Sequence, residues 1–163
     1  MIILGVDPGS RHTGYGAIDS DGRRHRLVEM GVLDPVPSQD LPLRLHFIHS
    51  RLNDLIARLR PDLMAVEDVF HARSTRSALV LGQVRGVVLL AAAQCGLDVR
   101  SFAPATVKLQ VTGNGQAEKT QVAFMVAHLL ALPAQEAGDA ADALAVALCH
   151  AHCATPLARA GQR

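Results

Sequence analysis

Tryptophan is missing and tyrosine occurs once, and aromatic residues make up only 3% of the chain. Any aromatic on a loop therefore stands out. Cysteine is scarce as well. The three (Cys95, Cys149 and Cys153) are odd in number and form no CxxC pair. A disulfide scaffold is excluded, and a reducing cytoplasm is the expected compartment. Long apolar runs are lacking: the most apolar stretch, 78–93, is broken by Gln83 and Arg85 and falls short of a membrane span. The first residues run straight into an apolar strand without a basic leader, so no secretory signal is expected. Charge of one sign is also lacking, because the formal net charge is +1. The total therefore gives no basic footprint for nucleic acid. Lysine is nearly absent: of sixteen basic residues only Lys108 and Lys119 are not arginine. Those two merit a role.

What remains is an ordinary globular composition. Of 163 residues, 49% are hydrophobic and 19% charged, which excludes a wholly disordered chain. The length suits one domain, assigned to 1–154, followed by a patternless tail at 155–163. No internal repeat or low-complexity tract is present.

The periodicity predicts a buried strand at 2–6 stopped by Asp7-Pro8-Gly9, a second at 13–19, a turn at Ser20-Asp21-Gly22 and a third strand at about 25–33. This is an antiparallel meander. Asp40 is placed to cap the following helix and Pro42 suits its first turn. Leu45, Ile48, Leu52, Leu55, Ile56 and Leu59 then share one helical face. A short buried strand at 63–66 carries Glu67 at its carboxyl end, implying a parallel crossover. A helix over 75–95 is apolar almost all round and is expected to be deeply buried or at a subunit interface. A fifth strand at 99–102, a Thr112-Gly113-Asn114-Gly115 loop, a helix over 118–131 and another from Asp139 to about His152 complete the reading.

Four acids stand out by position. Asp7 and Glu67 each close a buried strand, and Asp139 and Asp142 sit three apart at a helix start, on one face. Strand carboxyl ends are where α/β sheets bind ligands. An acid there is costly to desolvate unless it is paired or holds a metal. Gathered carboxylates repel, and a hard divalent cation, Mg²⁺ or Mn²⁺, resolves the conflict. Two such ions about 4 Å apart activate water and stabilise a leaving oxygen in phosphodiester hydrolysis. Taken singly, each acid also reads as a cap or a solvated turn residue; Asp139 after Gly138 suits an N-cap, and Asp142 a first helical turn. Cys149, His150, His152 and Cys153 look like a metal cluster. Their spacing on one helix fits buried thiols and a surface histidine better.

Five ordered segments resemble the RuvC family of Holliday-junction endonucleases. They are ILGVDPGSRHTGYG at 3–16, VEDVF at 66–70, SALVLGQVRG at 77–86, AEKTQV at 117–122 and DAADALAVALCH at 139–150. The resemblance implies an α/β, ribonuclease H-like fold with a five-stranded mixed sheet flanked by helices. It implies a homodimer that nicks two opposing strands of four-way junction DNA in recombination and repair, alongside the RuvA–RuvB branch-migration complex. It implies Mg²⁺, replaceable by Mn²⁺, with two ions per site in the reacting state. The family's metal-binding and catalytic tetrad falls on Asp7, Glu67, Asp139 and Asp142. Its catalytic, DNA-facing basic pair falls on Lys108 and Lys119, and its base-stacking aromatic on Phe70. Arg73, Arg76 and Arg85 follow that aromatic and Arg11 follows Asp7; each can grip a phosphate or lie on a solvated face. Gly9, Gly14 and Gly16 either let the backbone pass close to DNA or punctuate the strands. Three other readings compete. The first is a nucleotide-binding switch, since strand-Asp-x-Gly followed by a hairpin also serves as a phosphate loop. The second is a junction-binding module without catalysis, which would need one of the acids to be missing. The third is a ribosomal RNA processing nuclease of the same fold.

Overall fold

A computed structural model of the chain describes residues 1–68, 74–133 and 140–154. Ten elements follow in order: β1 (Ile2–Asp7), β2 (Thr13–Ser20), β3 (His25–Leu33), α1 (Leu41–Leu59), β4 (Leu63–Glu67), α2 (Thr75–Gln94), β5 (Val99–Phe102), α3 (Pro104–Thr112), α4 (Lys119–Leu129) and α5 (Ala141–Ala154). The strands form one mixed sheet in the order β3-β2-β1-β4-β5. The first three make the antiparallel meander that alternating apolar residues and the Asp21-Gly22 turn predict. After α1 the chain does not return beside β3. It crosses to the far side of β1, where β4 pairs in parallel, and β5 then pairs in parallel with β4.

Side-chain alternation sorts the two faces. Ile3, Ile18, Leu63 and Ala65 face α3, α4 and α5. Leu4, Val6, Met64 and Val66 face α1 and α2. Continuing the same alternation along β1 and β4 sends Asp7 and Glu67 to the α5 side. Val6 pairs with Val66, so the two acids stand one residue beyond a matched pair on adjacent strands.

α5 is the central helix. Ala141, Ala143 through Cys149 and Ala151 are buried, and it packs on β1, β2, β4, α3 and α4. Two glycines permit that approach. A Cβ on Gly5 would lie 2.0 Å from the Ala143 carbonyl oxygen, and one on Gly16 would lie 2.5 Å from Leu144 Cδ2. Gly16 thus seats the helix.

Two expectations change and one open alternative narrows. First, of the two placements expected for α2, deep burial is not found. Only Val84, Val88, Ala91 and Ala92 are buried, while Leu79 is 66% and Leu90 50% exposed. Small residues near its end pack against α1, and its remaining apolar surface faces outward. Among the described residues it is the one helix whose length and composition would suit a membrane span. Second, α3 is a helix where no element was expected. Pro104 opens it and Gly113, at φ 78°, ends it, while Val107 and Val111, one turn apart, anchor it in the core. Two buried contacts in nine residues leave too short a pattern to read unaided. Third, Asp40 stands at the N-cap of α1, but its side chain makes no capping bond; its carbonyl accepts from Leu43 and Arg44 instead.

Candidate active site

Each acid reaches the site for a local reason. Asp7 is the last residue of β1, where Pro8 and Gly9 turn the chain away. The turn is closed by Thr13, which is fully buried. Its hydroxyl donates to the Gly9 carbonyl at 2.7 Å and accepts from the Gly9 N–H at 3.3 Å. A Cβ at Gly9 would strike the His12 carbonyl oxygen at 2.1 Å, so glycine is required there by the turn itself. Glu67 ends β4 at the register position of Phe102. Asp142 lies in the first turn of α5, where the helix dipole favours an anion.

The electrostatics show that these three acids share one site. Asp7 is pushed up to about 6, first by burial, then by the charge of Asp142, with Lys119 opposing. Glu67 is pushed up to about 7, first by burial, then by Asp7 and Asp142, with Lys108 and Lys119 opposing. Carboxylates held so far above their ordinary range are short of positive charge. Hard oxygen donors in that condition match a divalent cation of the Mg²⁺ type. Among the described residues no three ligating groups close into a finished cage. Instead, the Lys119 ammonium pairs with Asp142 at 2.6 Å.

Lys119 is held there by its own helix end. It is the first residue of α4, whose start is fixed by Gln121 accepting the Glu118 N–H at 2.9 Å. Lys108 projects from α3, which packs against α5. The two lysines in an arginine-rich chain therefore both act on this site. Asp139, Phe70 and Arg73 lie outside the described residues. Arg76 is exposed in the first turn of α2, and Arg11 is exposed in the turn after Asp7.

Other polar contacts near the strand ends were not expected from the sequence. Arg85 is one side of an ion pair, not a free surface cation: its guanidinium donates to Asp68 at 2.6 Å and to Ser101 Oγ at 2.7 Å. Asp68 is the residue after Glu67, and its N–H donates to the Phe102 carbonyl. The chain just beyond Glu67 is thus tied to both α2 and β5. The Arg44 guanidinium donates to the Ser10 carbonyl and fixes the turn after Asp7 from the α1 side. The spacing of VED and of SALVLGQVRG carries no hint of the first contact, because it joins a strand end to the third turn of a helix.

Among the described residues the cysteine–histidine run forms no metal-ligating group. Cys149 is buried, and its thiol is driven upward by burial and by Cys153. His150 lies edge-on to Phe102, and His152 is half-buried, its Nδ1 donating to the Gln110 carbonyl at 2.8 Å.

Known proteins resemble this chain over nearly its whole length. The profile of the crossover junction endodeoxyribonuclease RuvC family matches residues 3–150. The RuvC of Citrifermentans bemidjiense is 50% identical over 154 residues, 94% of this chain and 94% of that one. The RuvC of Halorhodospira halophila is 52% identical over 150 residues, 92% of this chain and 89% of that one. A solved structure of T. thermophilus RuvC in complex with Holliday junction substrate superposes with a TM-score of 0.88. It is 36% identical, covering 99% of this chain and 96% of that one. The yeast mitochondrial Holliday junction resolvase shares the fold alone, with a TM-score of 0.68 and 15% identity over 92% of this chain and 77% of that one.

Proposed function

Because the chain belongs to the RuvC family of crossover junction endodeoxyribonucleases, it is a metal-dependent nuclease that resolves Holliday junctions, and we propose the residues and the ions by which it does so. Asp7, Glu67, Asp139 and Asp142 hold the divalent metal, Mg²⁺ by preference and Mn²⁺ as a substitute, with two ions in the reacting state. The observation that carries this reading is the raised proton affinity of Asp7 and Glu67, caused by burial and by their mutual neighbourhood with Asp142. When bound, the metal lowers the pKa of an attacking water and offsets charge on the leaving oxygen.

The chain's own residues do the rest. The three described acids orient the metal-binding oxygens from two rigid strands and a buried helix, so that little reorganisation is needed. Lys119 neutralises Asp142 at rest and, with Lys108, offsets charge at the scissile phosphate. A lysine serves here as a point charge without fixed geometry. Phe70 stacks on a junction base, a contact worth roughly 1–3 kcal/mol. Arg73 and Arg76 grip backbone phosphates.

A four-way junction has twofold symmetry, and two opposing cuts require two sites related by that symmetry. We therefore assign a homodimer, with the outward apolar face of α2, including Leu79 and Leu90, at its interface. Work beside the RuvA–RuvB complex, in the cytoplasm, is inferred from family membership. The test is a synthetic four-way junction incubated with and without Mg²⁺, with the nicks mapped on each strand. Paired, symmetric, metal-dependent nicks support the reading. Asp7→Asn should still bind the junction and fail to cut it; cutting at the wild-type rate would remove Asp7 from the metal site.

A further inference from the structure

Among the described residues only Thr13 and Ser20 are polar and buried, and they stand at opposite ends of β2. Ser20 serves the hairpin, where its hydroxyl accepts the Gly22 N–H at 3.0 Å. Thr13 stands at the end where the acids gather. Its hydroxyl meets both polar groups of one residue, donating to the Gly9 carbonyl at 2.7 Å and accepting the Gly9 N–H at 3.3 Å. A hydroxyl can do both, because it carries one donor and two lone pairs. Residues 9–13 are thereby closed into a ring.

The ring bears on Asp7 from behind. Across β1 and β2, Asp7 pairs with Gly14 and Val6 with Tyr15. Tyr15 packs on the α1–α2 side, and alternation puts Thr13 on that side as well, opposite the acids. Thr13 therefore acts on Asp7 through the backbone. Asp7 needs such help. It is the last paired residue of β1 toward β2, and toward β4 the pairing has already stopped at Val6. A strand end of this kind frays unless the chain beyond it is held. The clamp on Gly9 supplies that hold two residues further on. Arg44 also reaches the turn, at the Ser10 carbonyl, but through a long, flexible side chain. The β-branched Thr13 is stiff about its first torsion and fully buried, so it is the tighter restraint.

We propose that Thr13 is a positioning residue for the nuclease: its hydroxyl, from the opposite face of the sheet, fixes the turn that aims Asp7 and so sets how tightly the acids take a divalent cation. This rests on the metal-site reading above and adds to it a residue that holds no metal itself. Groups that orient a ligand in this way govern about 10–100-fold in metal affinity.

The test compares wild type with Thr13→Val, Thr13→Ala, Thr13→Ser and Asp7→Asn. In EDTA, the Gly9 amide is followed by hydrogen exchange. Mn²⁺ binding to the DNA-free protein is then titrated by the electron paramagnetic resonance of the free ion. Thr13→Val keeps the branched shape and removes the hydroxyl. It should speed exchange at Gly9 and raise the Mn²⁺ Kd about 10-fold, with junction affinity in EDTA unchanged. Thr13→Ser restores the hydroxyl and should return both readings close to wild type. If the valine variant does not fold, Thr13→Ala reports the same two quantities without a group larger than the hydroxyl it replaces. A wild-type Mn²⁺ Kd in the folded variant that lacks the hydroxyl overturns the proposal. So does a serine variant that binds Mn²⁺ as poorly as the valine or alanine variant, because packing of the methyl group would then be the cause. Asp7→Asn separates the two levels. If it binds Mn²⁺ as wild type does, the metal-site reading fails and this proposal with it. If it binds weakly while the Thr13 variants do not, the positioning role alone fails.

Discussion

At the carboxyl ends of β1 and β4 the sheet presents two faces of opposite character. On the α5 face Asp7, Glu67 and Asp142 crowd together, and burial and repulsion raise the first two well above their ordinary range. On the α1–α2 face Arg11, Arg44 and Arg76 line a groove of about 700 Å³ with Asp40, and among the described residues none of the three is ion-paired. Eleven residues, Asp7 to Ala17, supply both: an acid at the strand end, an arginine in the turn, and the return strand that seats α5. One face is left short of positive charge and the other short of negative charge. A net charge of +1 hides both.

The acid face is most vulnerable at Asp7. Asp7→Asn should lower junction cleavage by roughly 10³-fold or more, the kinetic equivalent of about 4 kcal/mol, while the Kd for the junction in EDTA stays within a few-fold. Single-turnover cleavage and anisotropy on the same preparation measure both. Equal losses of binding and cutting would mean that the acid face also holds the DNA.

The second effect is on stability and has a definite sign. In metal-free protein Asp7 is raised from 3.8 to about 6, so folding favours its protonated form. That contribution is complete below about pH 4 and is lost as pH rises through about 6. Asp7→Asn has no such loss. Its stability relative to wild type should therefore increase with pH from about 4 to 7, by about 3 kcal/mol at about 1.4 kcal/mol per pK unit. Urea midpoints at four pH values test it. Adding Mg²⁺ should stabilise wild type at pH 8 and leave Asp7→Asn little changed. A pH-independent difference would remove the charge crowding from the account.

Gly5→Ala moves the acid face alone. The added methyl meets the Ala143 carbonyl oxygen at 2.0 Å, so α5 must shift. Overpacking of this kind costs about 1–3 kcal/mol. Thermal melts should show the loss, and cleavage should fall further than junction affinity, because Asp142 travels with the helix. Arg85→Ala has the smallest expected effect. It frees Asp68 from α2, while the Asp68 N–H keeps its bond to the Phe102 carbonyl of β5. The metal concentration for half-maximal cleavage should rise about 10-fold, as for other groups that orient a ligand. Arg85→Lys should recover part of it. An unchanged metal requirement would show that β4 alone orients Glu67.

Much of the acid face was legible in the residues. Asp7 and Glu67 close short buried runs, which places them at strand ends without any structure, and Asp142 opens an apolar helix. The two lysines were conspicuous by rarity, and both bear on Glu67. The resemblance supplied the assembly of these separate pieces. What was not legible depends on distances across the fold. The partner of Arg85 lies 17 residues away on another element, and the groove needs three separate turns to come together. The place of α2 stays open between burial and an interface for a related reason. Its composition is apolar on all sides, and periodicity cannot tell a helix enclosed by its own chain from one with an outward face awaiting a cover. Gly16 needs the fold as well: it stands opposite Gly5, and the reason for glycine there is the helix α5 packed over it, which no local pattern shows.

The place of α5 at the heart of the molecule bears on how the enzyme is born. Ile3, Ile18 and Ala65 are all synthesised well before the helix that covers them. A nascent chain that has emerged only through β5 carries two of the acids but has nothing to bury one whole side of its sheet. The nuclease is thus completed only when its closing helix arrives, and a ribosome stalled midway displays no half-built scissors to the chromosome.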